Sequence, residues 1–133
     1  MITPDNEVFD AVFQLLQEDN LPVYDMSPDD SLSKMTEYGP YIVIGATQLL
    51  TGNTKTQLQG AVAITLHVWG NRKQRWEVSK MTSKVFTLLS SLKSSQHYNL
   101  QIRPQQTMNV VAPDKYDNAS VWHGVLDVTY AAY

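Results

Sequence analysis

Leu58-Gln59-Gly60-Ala61-Val62-Ala63-Ile64-Thr65-Leu66-His67-Val68-Trp69-Gly70-Asn71, with the Arg72–Ser95 stretch behind it, is the passage that decides the fold. Val62, Ile64, Leu66 and Val68 alternate with Ala61, Ala63, Thr65, His67 and Trp69, the period of two expected of a strand with one buried face. The larger residues are read as the core face, while Ala61 and Ala63 opposite them are small enough to admit a close neighbour. Gly70-Asn71 turns the chain, with Asn71 as a candidate helix cap. From Arg72 to Ser95, Trp76, Met81, Val85, Leu88, Leu89 and Leu92 recur at helical spacing.

Working outward, the N-terminal side opens on a second helix. Thr3 can cap it, Pro4 suits its first turn, and Asp5 and Glu7 suit its positive dipole end. Val8, Val12 and Leu16 form an apolar stripe flanked by Phe9 and Phe13, and Pro22 closes the segment. Val23–Met26 reads as a short extended piece and Ser27–Tyr38 as a polar loop anchored by Leu32 and Met35. Gly39-Pro40 then introduces the β-branched strand Tyr41–Ala46. Thr47–Gln57, rich in Thr and carrying only Lys55 as a charge, is expected to be a mobile loop. Beyond the long helix, Leu100–Ala112 reads as a strand interrupted by Pro104, Pro113–Ala119 as a loop, and Ser120–Tyr133 as a last strand.

The order is α-β-β-β-α-β-β. It predicts an α+β domain spanning residues 1–133, with a single mixed or antiparallel sheet and two main helices on one face. At 133 residues the chain is about one domain long and large enough to bury a core unaided. With 43% hydrophobic and 17% charged residues it does not read as disordered, and so thin a charge leaves much of the surface to neutral polar groups or to other subunits.

A net charge of −3 argues against a phosphate grip, since counterion release from a basic face supplies most of a nucleic-acid binder's affinity. With no cysteine there are no disulfides, thiolate nucleophiles or cysteine-ligated metals. The acidic Met1–Glu7 start does not read as a secretory signal, and no apolar run approaches the length that spans a bilayer.

Catalytic patterns fare no better. Ser31-Leu32-Ser33-Lys34 and Ser90-Ser91-Leu92-Lys93 both match the spacing of a serine–lysine nucleophile, but the elements that accompany it are absent. Asp29-Asp30 and the pair Asp114 and Asp117 sit in polar segments where carboxylates keep ordinary acidity. The six glycines build no phosphate loop. His67 and His123 have a geometry open to a cross-strand cluster with Asp127, yet no metal motif supports one and plain strand histidines are the simpler reading. Neither a catalytic residue nor a metal ligand is assigned. What remains is the aromatic density of the strands, from Tyr24, Tyr38, Tyr41, Trp69, Trp122, Tyr130 and Tyr133, a composition over-used at protein interfaces. Trp122 and Tyr130 are expected in the core.

Three of these segments carry a resemblance. Val23-Tyr24-Asp25, then Pro40-Tyr41-Ile42-Val43-Ile44-Gly45, then Ile64-Thr65-Leu66-His67-Val68-Trp69 ahead of a long helix, resemble in that order the strand signatures of the tail-terminator family of long-tailed bacteriophages, also called tail-completion or tail-to-head joining proteins. The resemblance extends over about Phe9 to Tyr133. It implies a non-enzymatic structural protein without cofactor or metal. Such a protein forms a hexameric ring at the head-proximal end of the tail tube, stops tube growth and offers a surface to the head. The partners implied are further copies of the chain, the tail tube protein and a head or neck connector. The genome would pass through the ring without sequence-specific binding, and no membrane is involved. The location implied is the head–tail interface of the virion, after assembly in the host bacterial cytoplasm. On this reading Thr51, Gly52, Asn53, Thr54, Lys55 and Thr56 contact a partner, and Tyr41, Trp69, Arg72 and Tyr133 are candidates for the subunit interface. The competing readings are another neck, head-completion or minor tail component, and a small-molecule-binding or hydrolytic bacterial α+β domain.

Overall fold

The computed structural model describes residues 3–26, 30–51, 60–116 and 118–133. The elements are α1 (Pro4–Glu18), β1 (Val23–Tyr24), α2 (Leu32–Met35), β2 (Tyr41–Thr51), β3 (Gly60–Asn71), α3 (Arg75–Ser91), β4 (Leu100–Ile102), a single 3₁₀ turn (Pro104–Gln106), β5 (Met108–Tyr116) and β6 (Ala119–Ala132). The strands form one six-stranded sheet in the order β1-β2-β3-β6-β4, with β5 also paired to β6. β1 runs parallel to β2 and every other pairing is antiparallel, so the sheet is mixed and the fold is α+β, as the element order predicts.

Both long helices pack on one sheet face. On β3, Val62, Ile64, Leu66 and Val68 are at most 1% exposed and meet Val8, Val12 and Leu16 of α1 and Val78, Val85 and Leu89 of α3. Each such side chain, fully buried, contributes roughly 1.5–3 kcal/mol, enough to hold helices too short to be stable alone. Leu126, Val128 and Tyr130 of β6 complete the layer, and the Tyr130 hydroxyl donates to the Leu89 carbonyl at 2.6 Å. Trp122 lies at the margin of this core, its indole N–H donating to the Arg72 carbonyl at 3.0 Å.

Several boundaries depart from the sequence reading. The expected mobile loop over Thr47–Gln57 is corrected in its first part: β2 continues through Thr51, pairing Thr47 with Ile64 and Thr51 with Gly60. A β-bulge between Ile44 and Thr47 exchanges the faces, and this broke the alternation that would have revealed the longer strand. Gly52, Asn53, Thr54, Lys55, Thr56 and Gln57 lie outside the described residues. The helix expected from Arg72 starts at Arg75, because Asn71 is still in β3 and makes a turn instead of a cap. Its Oδ1 accepts from the Lys73 N–H at 2.9 Å, while Gln74 Oε1 accepts from the Asn71 N–H at 2.8 Å.

Trp76 does not join the buried stripe. It is 69% exposed, since nine residues separate it from Val85, about two and a half turns, which puts it on the opposite side of α3. Within the polar Ser27–Tyr38 segment, Ser31 caps the short α2 by accepting from the Lys34 N–H at 3.4 Å, so the Ser31–Lys34 spacing has a structural use. Pro104 does break the fourth strand region, whereas Pro113 does not end β5. Tyr116 pairs with Ala119, leaving a two-residue hairpin connection in which Asn118 takes a positive φ of 66°.

A cluster of hydrogen bonds ties α1 to the segment that follows α3. Glu7, 5% exposed, accepts from the Ser95 hydroxyl at 2.7 Å, the His97 backbone N–H at 2.8 Å and the His97 Nδ1–H at 2.7 Å. Burial alone would raise its pKa, but these hydrogen bonds and the His97 charge hold it below the ordinary value. A carboxylate whose pKa is lowered by folding stabilises the fold above its unfolded pKa. That contribution disappears as pH falls through the ordinary glutamate range, about 4.3, and below. Thermal unfolding across pH 3–6 is therefore expected to show an acid limb that is shallower in Glu7→Gln, with the variant less stable at neutral pH. An unchanged acid limb would contradict this role.

Candidate assembly surface

Among the described residues the sheet face opposite the helices carries no helical layer of comparable size. At one end α2 covers it, where Leu32, Tyr41, Val43 and Val121 form a second small core with Tyr24, Met35, Trp69 and Tyr116 around it. Tyr41 is 2% exposed, so its side chain is inside the subunit, and burial beside Tyr116 and Tyr24 pushes its phenol up to about 12. Trp69 is half-buried and pairs directly with His123 across β3 and β6, the two rings stacked at 3.7 Å with planes 8° apart. Arg72 is exposed beyond the end of β3, where its carbonyl holds Trp122. Tyr133 is 54% exposed, with its backbone hydrogen-bonded in both directions to Asn99. Of the loop candidates only Thr51 is described, at the end of β2.

Between this end and the open centre of the face runs a line of polar side chains. His67 Nδ1 lies 2.8 Å from His123 Nε2, and His123 Nδ1 lies 2.9 Å from Asp114 Oδ2. An ionised carboxylate only accepts, so His123 Nδ1–H donates to Asp114, and in the neutral imidazole Nε2 is left to accept from His67 Nδ1–H. The two histidines thus meet as the sequence allowed, but the carboxylate is Asp114. Asp127 accepts instead from the Thr65 hydroxyl one pair further along. Among the described residues no group of three or more His, Asp or Glu side chains is placed to hold a metal ion. The line fastens β5, β6 and β3 together.

Burial, and then the nearness of His123, lower the pKa of His67, with Asp127 acting the other way. The unfolded chain therefore binds the His67 proton more readily than the folded one, so stability falls as pH drops from about 6.5 toward the folded pKa. Unfolding midpoints measured from pH 8 to 5 are expected to decline, with a smaller decline in His67→Gln. Equal slopes in the two proteins would contradict the assignment.

An open depression beside α1 is lined by Phe9 and Phe13, stacked at 6.3 Å, by Asp10, Glu18 and Asp25, and by Ser95, whose hydroxyl is engaged on Glu7. Among the described residues no helix is long and apolar enough to cross a membrane.

The strand edges are the other feature of this surface. β2 pairs with β1 only at Ile42 and Val43, and among the described residues nothing pairs with its outer side from Ile44 to Thr51. The outer side of β5 is likewise unpaired among the described residues.

No protein-family model matches the chain, and no curated protein matches it. A solved structure does resemble it: a chain described as "Virion of native gene transfer agent (GTA) particle" superposes with a TM-score of 0.63 at 12% identity, covering 98% of this chain and 96% of that one. At that identity the match establishes a shared fold over essentially the whole of both chains.

Proposed function

We propose that this chain is a structural subunit of a phage virion that caps the head-proximal end of the tail tube as a hexameric ring and forms the surface where head and tail join. The observation that carries the reading is the end-to-end correspondence of its fold with a chain from a virion particle. The strand signatures add support. They fall on β1, β2 and β3, three neighbours in the sheet. The reading includes no catalytic step, and it makes the Asp114–His123–His67 line a fastening element. Tail tube protein and a neck connector are its partners, and the virion head–tail interface is its location.

Particles assembled with and without this chain test the proposal. With it, electron microscopy is expected to show tails of uniform length joined to heads. Without it, tubes overgrow or remain headless. Normal tails and normal joining in its absence would overturn the reading.

A further inference from the structure

We infer that neighbouring copies join by strand addition, the outer edge of β2 in one copy pairing antiparallel with the outer edge of β5 in the next. The inference rests on the proposed ring and names the contact that builds it. Exposed strand edges normally carry charge, proline or a cover, because bare ones recruit foreign strands. Here Thr47-Gln48-Leu49-Leu50-Thr51 and Met108-Asn109-Val110-Val111-Ala112 carry neither charge nor proline. The remainder of each edge is protected, by β1 over Ile42 and Val43 and by Pro113, Asp114 and Lys115 on β5.

The backbone polarity of both edges follows from bonds at their ends. The Ile42 N–H donates outward to the Pro22 carbonyl, so along β3 the residues in register with Ile42 face β6, and on β2 beyond the bulge Thr47, Leu49 and Thr51 point outward. Continuing the alternation through β6 makes Asn109, Val111 and Pro113 the outward positions of β5. The Arg103 N–H donating to the Thr129 carbonyl on the same side of β6 agrees with this. Pro113 thus occupies a site where its missing N–H breaks no ladder bond.

Three properties select a second copy as the occupant. The strands β2, β3, β6 and β5 alternate in direction, so the two outer strands are antiparallel and a rotated copy continues the alternation without a clash of direction. The edges differ, which gives a heterologous contact that closes by rotation. They are also offset along the strands. Leu49 lies level, through Val62, with Tyr130, whereas Asn109 and Val111 lie level with Leu126 and Gly124. Four to six residues of offset over four strand spacings tilts the strands by roughly 35–45°, the tilt closed sheets adopt. Leu50 and Val110 share the helix-free face, so that face would continue from copy to copy.

Because the chain has no cysteine, engineered pairs report this contact cleanly. Leu50→Cys with Val110→Cys, and Gln48→Cys with Val110→Cys, sample the two registers, and Tyr38→Cys with Val110→Cys is the control. After mild oxidation, in concentrated protein and on purified uncapped tails, one edge pair is expected to give a ladder of linked copies ending at the closed ring, and the control is not. Leu49→Pro and Val111→Pro, which remove outward N–H groups only, are expected to stay folded and lose assembly at least tenfold in concentration. Rings that cap tails without either cross-link, or with both proline variants assembling normally, would overturn the edge contact and leave the terminator reading standing. Cross-linked rings that do not cap tails would overturn the terminator reading and leave the contact standing.

Discussion

Leu66→Ala is expected to lower the unfolding free energy by about 3–4 kcal/mol. Leu66 is fully buried at the centre of β3, paired with Ile44 on one side and Leu126 on the other, under both helices. The truncation removes transfer energy and leaves a cavity that two sheet neighbours and two helices cannot easily close. The same chemical change at Leu50, 39% exposed near the end of β2, is expected to cost below about 1 kcal/mol. Denaturant unfolding of both variants checks the contrast, and similar losses would contradict the assignment of the core face. The difference also bears on assembly, because Leu50 should matter to ring formation and Leu66 to folding.

The second large effect concerns how closely α3 sits on the sheet. A Cβ built on Gly124 falls inside van der Waals contact of the Thr82 hydroxyl and 3.3 Å from Val78 Cγ1. Thr82 is itself fully buried, its hydroxyl donating to the Val78 carbonyl at 2.7 Å within the helix. Gly124→Ala must push α3 away or displace that hydroxyl, an overpacking cost of about 2–3 kcal/mol. Removing the obstruction should recover part of it. Gly124→Ala with Thr82→Ala is expected to be less destabilised than the sum of the two single changes, by about 1 kcal/mol. Strict additivity would mean that the helix does not rest on Gly124.

These two positions also indicate what could be read from the sequence. Leu66 was legible because strict alternation over Val62–Val68 has one physical reading, a strand buried on one face. Val8, Val12 and Leu16 were legible for the equivalent reason in a helix, and all three are fully buried. Gly124 and Thr82 were not, since a close helix–sheet approach depends on how α3 and β6 superpose in space. Trp76 stays outside the buried stripe because its phase around α3 differs from that of Val85, which its hydrophobicity alone does not reveal. The β5–β6 hairpin was missed because Pro113 reads as a strand breaker, and only an edge position removes the objection. Glu7 gave no sign of its buried role, for its donors lie 88 and 90 residues away.

The surface followed the same rule. That His67 and His123 could meet was open in the sequence, if their two strands were neighbours, though plain strand histidines were the simpler reading. That Asp114 would complete the line was not visible, because its place depends on the two-residue turn that brings β5 back onto β6. The bulge in β2 hid the length of the strand, and with it the unpaired edge on which the proposed contact depends. Aromatic density pointed to an interface, but much of it is used inside the subunit: Tyr41 fills the second core and Trp69 stacks on His123.

In the proposed function this chain closes the end of a tail tube. Purified protein added to uncapped tail tubes and imaged by cryo-electron microscopy tests it most directly. One ring of six copies on one end of each tube, and an end to further tube growth, are expected. Tubes that keep growing with bare ends, in the presence of folded protein at high concentration, would contradict it.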